Sequence, residues 1–361
     1  MQEYQYKTFS LKTHQSNWQK NNPNICQFEL TFGCGLHCRH CYTDCYNNSF
    51  HKKKELKSKE VKLLLDKIYD AGVVWVCFTG GDPLVRRDFL EIYSYAKKKG
   101  FLITVFTNGL LFTNRILDFL VKSPPYSIEI TLNGITQETY EGITQVSGSF
   151  EKVIANIKEI KRRRLPLILK TNCLKQNKHE LGKIKAFADE LLGKSRGRYH
   201  FKYDPMIYPR LNGDRSSCAH RLSFGEIMEA RKQDPDIWAE YQKGMRADIL
   251  DINRDKAYLY RCNSWMSNFF INPYGRLKFC QFSDKFSVDL KTTSFHDGFY
   301  KVFPRLLSEK FKTNSKCINC RLRPICYHCP ARAYLETGDE EAPVPYYCQL
   351  AKATAKEMGK K

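Results

Sequence analysis

Between residues 26 and 207 the chain alternates between short apolar runs and stretches of helical period. Cys26–Thr31, Val73–Phe78, Phe101–Phe106, Ser127–Leu132, Leu165–Asn172 and Tyr199–Tyr203 read as buried strands. Between them, Lys59–Tyr69 sets Val61, Leu64, Leu65 and Ile68 on one helical face, with Ser58 as N-cap and Gly72 as stop. Asp88–Lys98, Thr113–Val121, Ser149–Arg163 and Lys178–Leu192 repeat that pattern. Six β-α units in series demand parallel pairing with right-handed crossovers. The expected fold class is α/β, a partial (β/α)6 TIM-like barrel whose chemistry sits at the carboxyl ends of the strands. The segments leaving those ends are Gly-rich or polar: Thr79-Gly80-Gly81-Asp82-Pro83, Thr107-Asn108-Gly109 and Asn133-Gly134.

The rest of the chain differs in character. Residues 1–25 form an N-terminal extension. Residues 208–258 contain an Asn212-Gly213 turn followed by polar helical sequence and read as a bridge. Residues 259–361 hold seven of the 15 cysteines, with short strands and little helical period until the end, as in a small domain held together by metal. Met1–Lys20 is polar, and no run of apolar residues is long enough to span a bilayer. A cytoplasmic location is expected, and in a reducing compartment clustered cysteines indicate metal before disulfides. The net charge of +21 is mostly dispersed lysine, as in Lys52-Lys53-Lys54 and Lys97-Lys98-Lys99. Solvated helix faces account for it without a nucleic-acid partner.

Directly after the first strand come Cys34-Gly35-Leu36-His37-Cys38-Arg39-His40-Cys41, a C-x3-C-x2-C spacing. Three thiolates on one loop can each take one iron of a cubane and leave the fourth iron open. A zinc site is the competing reading, and it needs a fourth ligand. The spacing, its place after strand one and the barrel pattern that follows resemble the radical S-adenosylmethionine (SAM) superfamily. The resemblance implies a [4Fe–4S] cluster on Cys34, Cys38 and Cys41. It also implies reductive cleavage of SAM to methionine and a 5′-deoxyadenosyl radical, with an electron from a flavodoxin- or ferredoxin-type reductant. His40 takes the place of the usual aromatic residue near the adenine. Gly80, Gly81, Asp82 and Pro83 resemble the family's GGEP motif, with Asp82 in place of Glu, where backbone groups hold the SAM amine. Asn108 and Thr131 are candidates for the ribose and carboxylate, beside the reading of both as ordinary strand-to-loop turns.

The later cysteines, Cys262, Cys280, Cys317, Cys320, Cys326, Cys329 and Cys348, resemble the SPASM extension of peptide-modifying radical SAM enzymes. The interval from Cys326 to Cys329 is two residues where three is common. The resemblance implies two auxiliary [4Fe–4S] clusters: an outer one on Cys317, Cys320, Cys326 and Cys348, and an inner one on Cys262, Cys280 and Cys329. The inner cluster keeps an open iron or takes Cys218 as its fourth ligand, the eighth thiolate of the pair of clusters; two structural zinc sites are the alternative for the whole set. Cys26, Cys77 and Cys173 read as core residues and Cys45 as a spare loop thiol. His37 and His328 stand between ligands, either solvent-exposed or hydrogen-bonded to cluster sulfur.

These resemblances imply a radical SAM enzyme acting on a ribosomally made peptide, by cross-linking, epimerisation, oxidation or excision. Gln281 stands after Cys280 where sulfatase-maturing relatives carry an Asp base, which counts against that activity. About 25 residues before the first strand are too few for a leader-gripping winged helix, so any leader recognition falls to a separate leader-binding protein or to another surface. The alternatives are a sulfatase-maturase-like or quinone-cofactor-biosynthesis enzyme, or a non-catalytic basic metal-binding scaffold.

Overall fold

The strands read from the sequence form and pair in parallel in chain order: β1 (Ile25–Thr31), β2 (Trp75–Gly80), β3 (Leu102–Thr107), β4 (Ser127–Thr131), β5 (Leu167–Asn172) and β6 (Phe201–Asp204). The computed structural model describes residues 6–193, 200–232, 256–262 and 266–357, with Pro235, Trp238, Ala239 and Gln242 between. Tyr199 and most of residues 233–255, which the bridge was expected to include, lie outside the described residues. The sheet continues beyond β1. A further parallel strand, β7 (Asn268–Ile271), pairs on its free edge, with Ile25 opposite Asn268. Then β8 (Arg276–Lys278) and β9 (Val288–Asp289) add antiparallel, giving the order β6-β5-β4-β3-β2-β1-β7-β8-β9. The cysteine-rich segment therefore grows out of the barrel's own sheet.

The crossover helices are α2 (Ser58–Asp70), α3 (Phe89–Lys98), α4 (Asn114–Lys122), α6 (Ser149–Arg162) and α7 (Leu181–Leu192), preceded by α1 (Tyr6–Gln19) and with α5 (Gln137–Thr144) inserted after β4. Towards the C-terminus come α8 (Phe224–Lys232), α9 (Pro330–Thr337) and α10 (Pro345–Glu357). Val61, Leu64, Leu65 and Ile68 are all buried, as their period requires. Ser58 is not the cap of α2: it lies inside the helix, and the Lys57 N–H donates to Glu60 Oε2 at 2.8 Å. A glutamate three residues along replaces the serine hydroxyl there. Helix α1 shows no apolar stripe in sequence. It lays Phe9 and His14 against Trp75 at the start of β2, ring centroids 6.2 and 4.3 Å apart, and covers the amino end of the sheet.

Alternation along the strands separates two faces. Cys26, Phe28, Leu30, Val76, Phe78, Ile103, Val105, Ile128, Ile130 and Leu169 pack under the helices in one core. The opposite, inner face carries Glu29, Cys77, Thr104, Glu129, Thr131, Lys170, Asn172, Lys202 and Asp204. A closed (β/α)8 barrel fills that space with branched apolar side chains. This one lines it with charge, which suits a space that admits solvent and a ligand. Among the described residues no helix is long and apolar enough to cross a membrane.

Gly142 sits in α5 with ordinary helical φ and nothing within 4 Å of where a Cβ would stand. Gly142→Ala should raise the thermal midpoint, reflecting a gain of about 0.5–1 kcal/mol from reduced unfolded-state entropy; an unchanged or lowered midpoint in a melting scan counts against this account of α5.

Candidate active site

The loop after β1 is fixed from three sides. Glu55 Oε1 accepts from Thr31 Oγ1 at 2.9 Å and from the Phe32 N–H at 2.7 Å. Asn47 accepts from the Cys34 N–H at 3.0 Å and donates to the Cys34 carbonyl at 3.2 Å. The C-terminal carbonyls of α5, which no helical N–H can reach, accept from the loop instead: His37 N to Thr144 O and Arg39 N to Ile143 O, both 3.0 Å. Neither Glu55 nor Asn47 stood out in the sequence, since one follows three lysines and the other opens an Asn-Asn pair. Helix α5 escaped notice too, being short and polar.

This scaffold gathers Cys34, Cys38 and Cys41. Burial pushes the Cys34 thiol up to about 12, with the Asp82 and Cys41 charges adding to it. Burial and the two other thiols push Cys38 well above its ordinary value, and burial also raises Cys41. Three such thiolates coexist only if positive charge is placed among them, which is what bound iron provides. Donors already point at sulfur: the Leu36 N–H at 3.4 Å and Asn108 Nδ2 at 3.3 Å from Cys34 Sγ. Two buried polar atoms beside the loop, His40 Nδ1 and Tyr140 Oη, have no hydrogen-bond partner. Burial drives the His40 imidazole down to about 4, so the ring is neutral.

The segment after β2 crosses this loop at backbone distance. A Cβ on Gly80 would stand 2.0 Å from the Thr31 carbonyl oxygen, and one on Gly81 2.4 Å from that of Gly33. Gly80 also has φ +131°, which only glycine adopts without strain. Asp82 is fully buried and ties β2 to β3: it accepts from Leu84 N at 2.9 Å, Thr107 Oγ1 at 2.7 Å and Asn108 N at 2.8 Å. Pro83 is buried and opens a short 3-10 turn. Thr131 ends β4 half-buried. Asn133, which the sequence did not single out, joins the site: its Nδ2 lies 3.5 Å from His40 Nε2 and its Oδ1 accepts from the Asn172 N–H at 2.9 Å. Thiols, neutral ring, unpartnered polar atoms and a glycine cradle fit a cluster-plus-cofactor site.

The C-terminal cysteines sort into two sets. Burial raises Cys280 to about 12, with Cys329 and Cys262 contributing, and Cys329 in turn feels Cys262. Burial raises Cys326 to about 12 as well, with Cys348, Cys317 and Cys320 as its charged neighbours. Cys280 thus neighbours Cys262 and Cys329, and Cys326 neighbours Cys317, Cys320 and Cys348. Cys329 caps α9 in extended conformation while the His328 N–H turns back to Cys326 Sγ at 3.4 Å, and the two thiols have different cysteine neighbours. The His328 ring points elsewhere, 2.9 Å from the Ala342 carbonyl, and His37 pairs with Asp44 at 3.1 Å. Cys218 lies with Arg221 and Glu336, themselves a buried ion pair. Among the described residues no three His, Cys, Asp or Glu side chains converge as a single-ion site. Cys26 and Cys173 are core residues; Cys77 is buried but faces the lumen, near Lys170 and Glu129. Tyr42 bridges the halves, its ring 5.5 Å from that of Phe282 and its hydroxyl 3.5 Å from Gln281 Oε1.

Residues 28–188 match the radical SAM superfamily. The chain carries a radical SAM domain. It is 25% identical over 345 residues to an AdoMet-dependent heme synthase of Methanosarcina barkeri, covering 90% of this chain and 96% of that one. It is 28% identical over 159 residues to the PqqA peptide cyclase of Granulibacter bethesdensis, 43% of this chain and 41% of the relative. Its fold matches that of Streptococcus suis SuiB bound to the precursor peptide SuiA with a TM-score of 0.68, over 97% of this chain and 82% of that one at 17% identity. The α/β partial barrel and its extension are thus the architecture of SPASM-type radical SAM enzymes.

Two predictions follow from the geometry. Asp82→Asn places an amide N–H₂ where three donors converge, and should cost about 1–3 kcal/mol of stability and weaken SAM binding, read by thermal melting and equilibrium dialysis. Glu29, 2% exposed on the inner face, is raised by burial to about 7. Its ionised form is therefore penalised in the folded state, by nothing below pH ~4.5 and in full above ~7, up to about 3 kcal/mol. Glu29→Gln should gain on the wild type as pH rises through that window; parallel pH–stability curves would contradict this.

Proposed function

We propose that this radical SAM enzyme modifies a peptide held in the lumen between the Cys34–Cys38–Cys41 loop and the Cys262–Cys280–Cys329 trio. In this reading the first three thiols ligate a [4Fe–4S] cluster, and Gly80, Gly81, Asp82, Pro83, Asn108, Thr131 and His40 surround SAM. The trio and the quartet of Cys317, Cys320, Cys326 and Cys348 hold two auxiliary clusters. When bound, cluster and SAM supply a radical that abstracts hydrogen from substrate carbon. The chain's own residues position and shield that event. Asn108 and the Leu36 N–H donate to Cys34 sulfur and so lower its charge density. Asp82 locks the ends of β2 and β3 together. Asn133 holds the neutral His40 ring beside Asn172.

The carrying observation is the polar, charge-lined lumen with thiols at its carboxyl end and a second thiol set across the Tyr42–Phe282 contact. Peptides are favoured by the peptide-acting relatives. A tetrapyrrole is the second reading, because the heme synthase match covers 90% of the chain whereas the peptide cyclase match covers 43% of it. A flavodoxin- or ferredoxin-type protein would deliver the electron, and a separate protein would present a leader.

Anaerobically reconstituted protein with reductant and SAM should form 5′-deoxyadenosine and hold about twelve irons per chain, four for each of three cubanes. Cys38→Ala should abolish 5′-deoxyadenosine formation, and Cys320→Ala should lose about four irons while retaining it. SAM cleavage unaffected by Cys38→Ala would overturn the assignment. Mass change in a short peptide encoded beside the enzyme, set against none in a porphyrin, separates the two substrate readings.

A further inference from the structure

On the inner face, Lys170 of β5 and Lys202 of β6 are register partners. Both reach for one carboxylate, Glu129 of β4: Lys202 Nζ stands 2.8 Å from Oε1, and Lys170 Nζ 3.8 Å from Oε2. The latter is too long for a hydrogen bond. Lys170 Nζ instead hangs 3.2 Å over the Phe106 ring centroid. Burial lowers the Lys170 ammonium to about 8. Neither head is sealed in, since the side chains keep 23% and 48% of their exposure. So two cations share one anion and retain unused donors facing the lumen.

The other charges nearby do not close this account. Asp204, itself raised by burial, attracts Lys170, Arg231 and Arg332 at once and accepts from the Met206 N–H, so it belongs to no one of these cations. Lys278 is occupied by Asp284 and the Gln281 carbonyl. Arg332 adds a third cation, lying 4.5 Å from the Tyr208 ring centroid with its Nε unpartnered. A closed structural ion triad would spend its donors on the chain's own acceptors, whereas these two part-exposed heads leave theirs open to whatever enters the lumen. Here the deficit is one negative group. Its height fits the reaction space: Lys170 pairs with Thr131 at the end of β4 and lies two residues before Asn172, whose N–H is held by the Asn133 that contacts His40.

We propose that Lys170 and Lys202 form a carboxylate-binding subsite that grips an acid group of the substrate just beneath the cysteine loop. This rests on the lumen being the substrate space, as the proposed function has it. The acid belongs either to a peptide side chain or terminus, or to a small polycarboxylate such as a porphyrin. The subsite rejects the corresponding amides and esters, which bring no charge to the lysines.

Binding to the anaerobically reconstituted protein tests this without turnover. One arm titrates a tetracarboxylate porphyrin and its tetramethyl ester by absorbance. The other titrates a fluorescent pentaglutamate peptide and its pentaglutamine counterpart by anisotropy. At least one acid should bind better than its neutral partner, and Lys170→Met and Lys202→Gln should each weaken that acid about tenfold or more, with the neutral probe unmoved. Lys170→Arg should recover part of the loss. Preference in the porphyrin arm alone, or in the peptide arm alone, identifies the source of the acid. No acid preference, or a preference that survives in both folded variants and so arises from the basic surface, overturns the subsite. Wild-type 5′-deoxyadenosine formation is measured alongside: acid preference without SAM cleavage sinks the radical reading and spares the subsite, and cleavage without acid preference does the reverse.

Discussion

The backbone leaving β2 passes so close to the backbone leaving β1 that no side-chain atom fits between them. Gly80 and Gly81 press against the carbonyls of Thr31, Phe32 and Gly33, and the Gly81 and Asp82 N–H groups are spent on the Thr31 and Gly33 oxygens at 2.7 and 2.9 Å. This crossing sets where the cysteine loop starts. Glu55 and Asn47 then clamp the loop, and Asp82 carries the same alignment on to β3. A shift of one strand end relative to the next would move every thiol and every candidate cofactor contact at once.

Much of this was legible in the chain. Strand runs, helix periods and the tight C-x3-C-x2-C spacing are local signals, and local signals survive folding. The long-range partners were not. Glu55 looked like part of a lysine-rich surface run, yet its carboxylate closes the loop, because only the fold brings residue 55 back to residue 31. Asn133 read as half of a turn, while its side chain spans His40 and Asn172. Strand β7 was hidden in sequence assigned to a separate small domain, since a four-residue strand carries no period of its own. Asn108 stood out as a candidate cofactor contact, but the reach of its amide to Cys34 sulfur did not.

The inner face has a different logic from the outer one. Outside, each strand presents Val, Ile, Leu or Phe to its crossover helix, and burial of that layer stabilises the sheet. Inside, Glu29, Glu129, Lys170, Lys202 and Asp204 line the lumen, and burial disfavours the charged forms of Glu29, Lys170 and Asp204. Residues that weaken a fold and persist in its interior are best explained by what they bind.

The pairing of β1 with β7 has a consequence for biogenesis. Residue 25 finds its edge partner only at residue 268, so a ribosome must release most of the polypeptide before β1 is flanked on both sides. Until then the nascent barrel presents a bare strand edge next to an exposed cysteine loop. An unpaired strand edge of that kind invites pairing with other chains until β7 arrives.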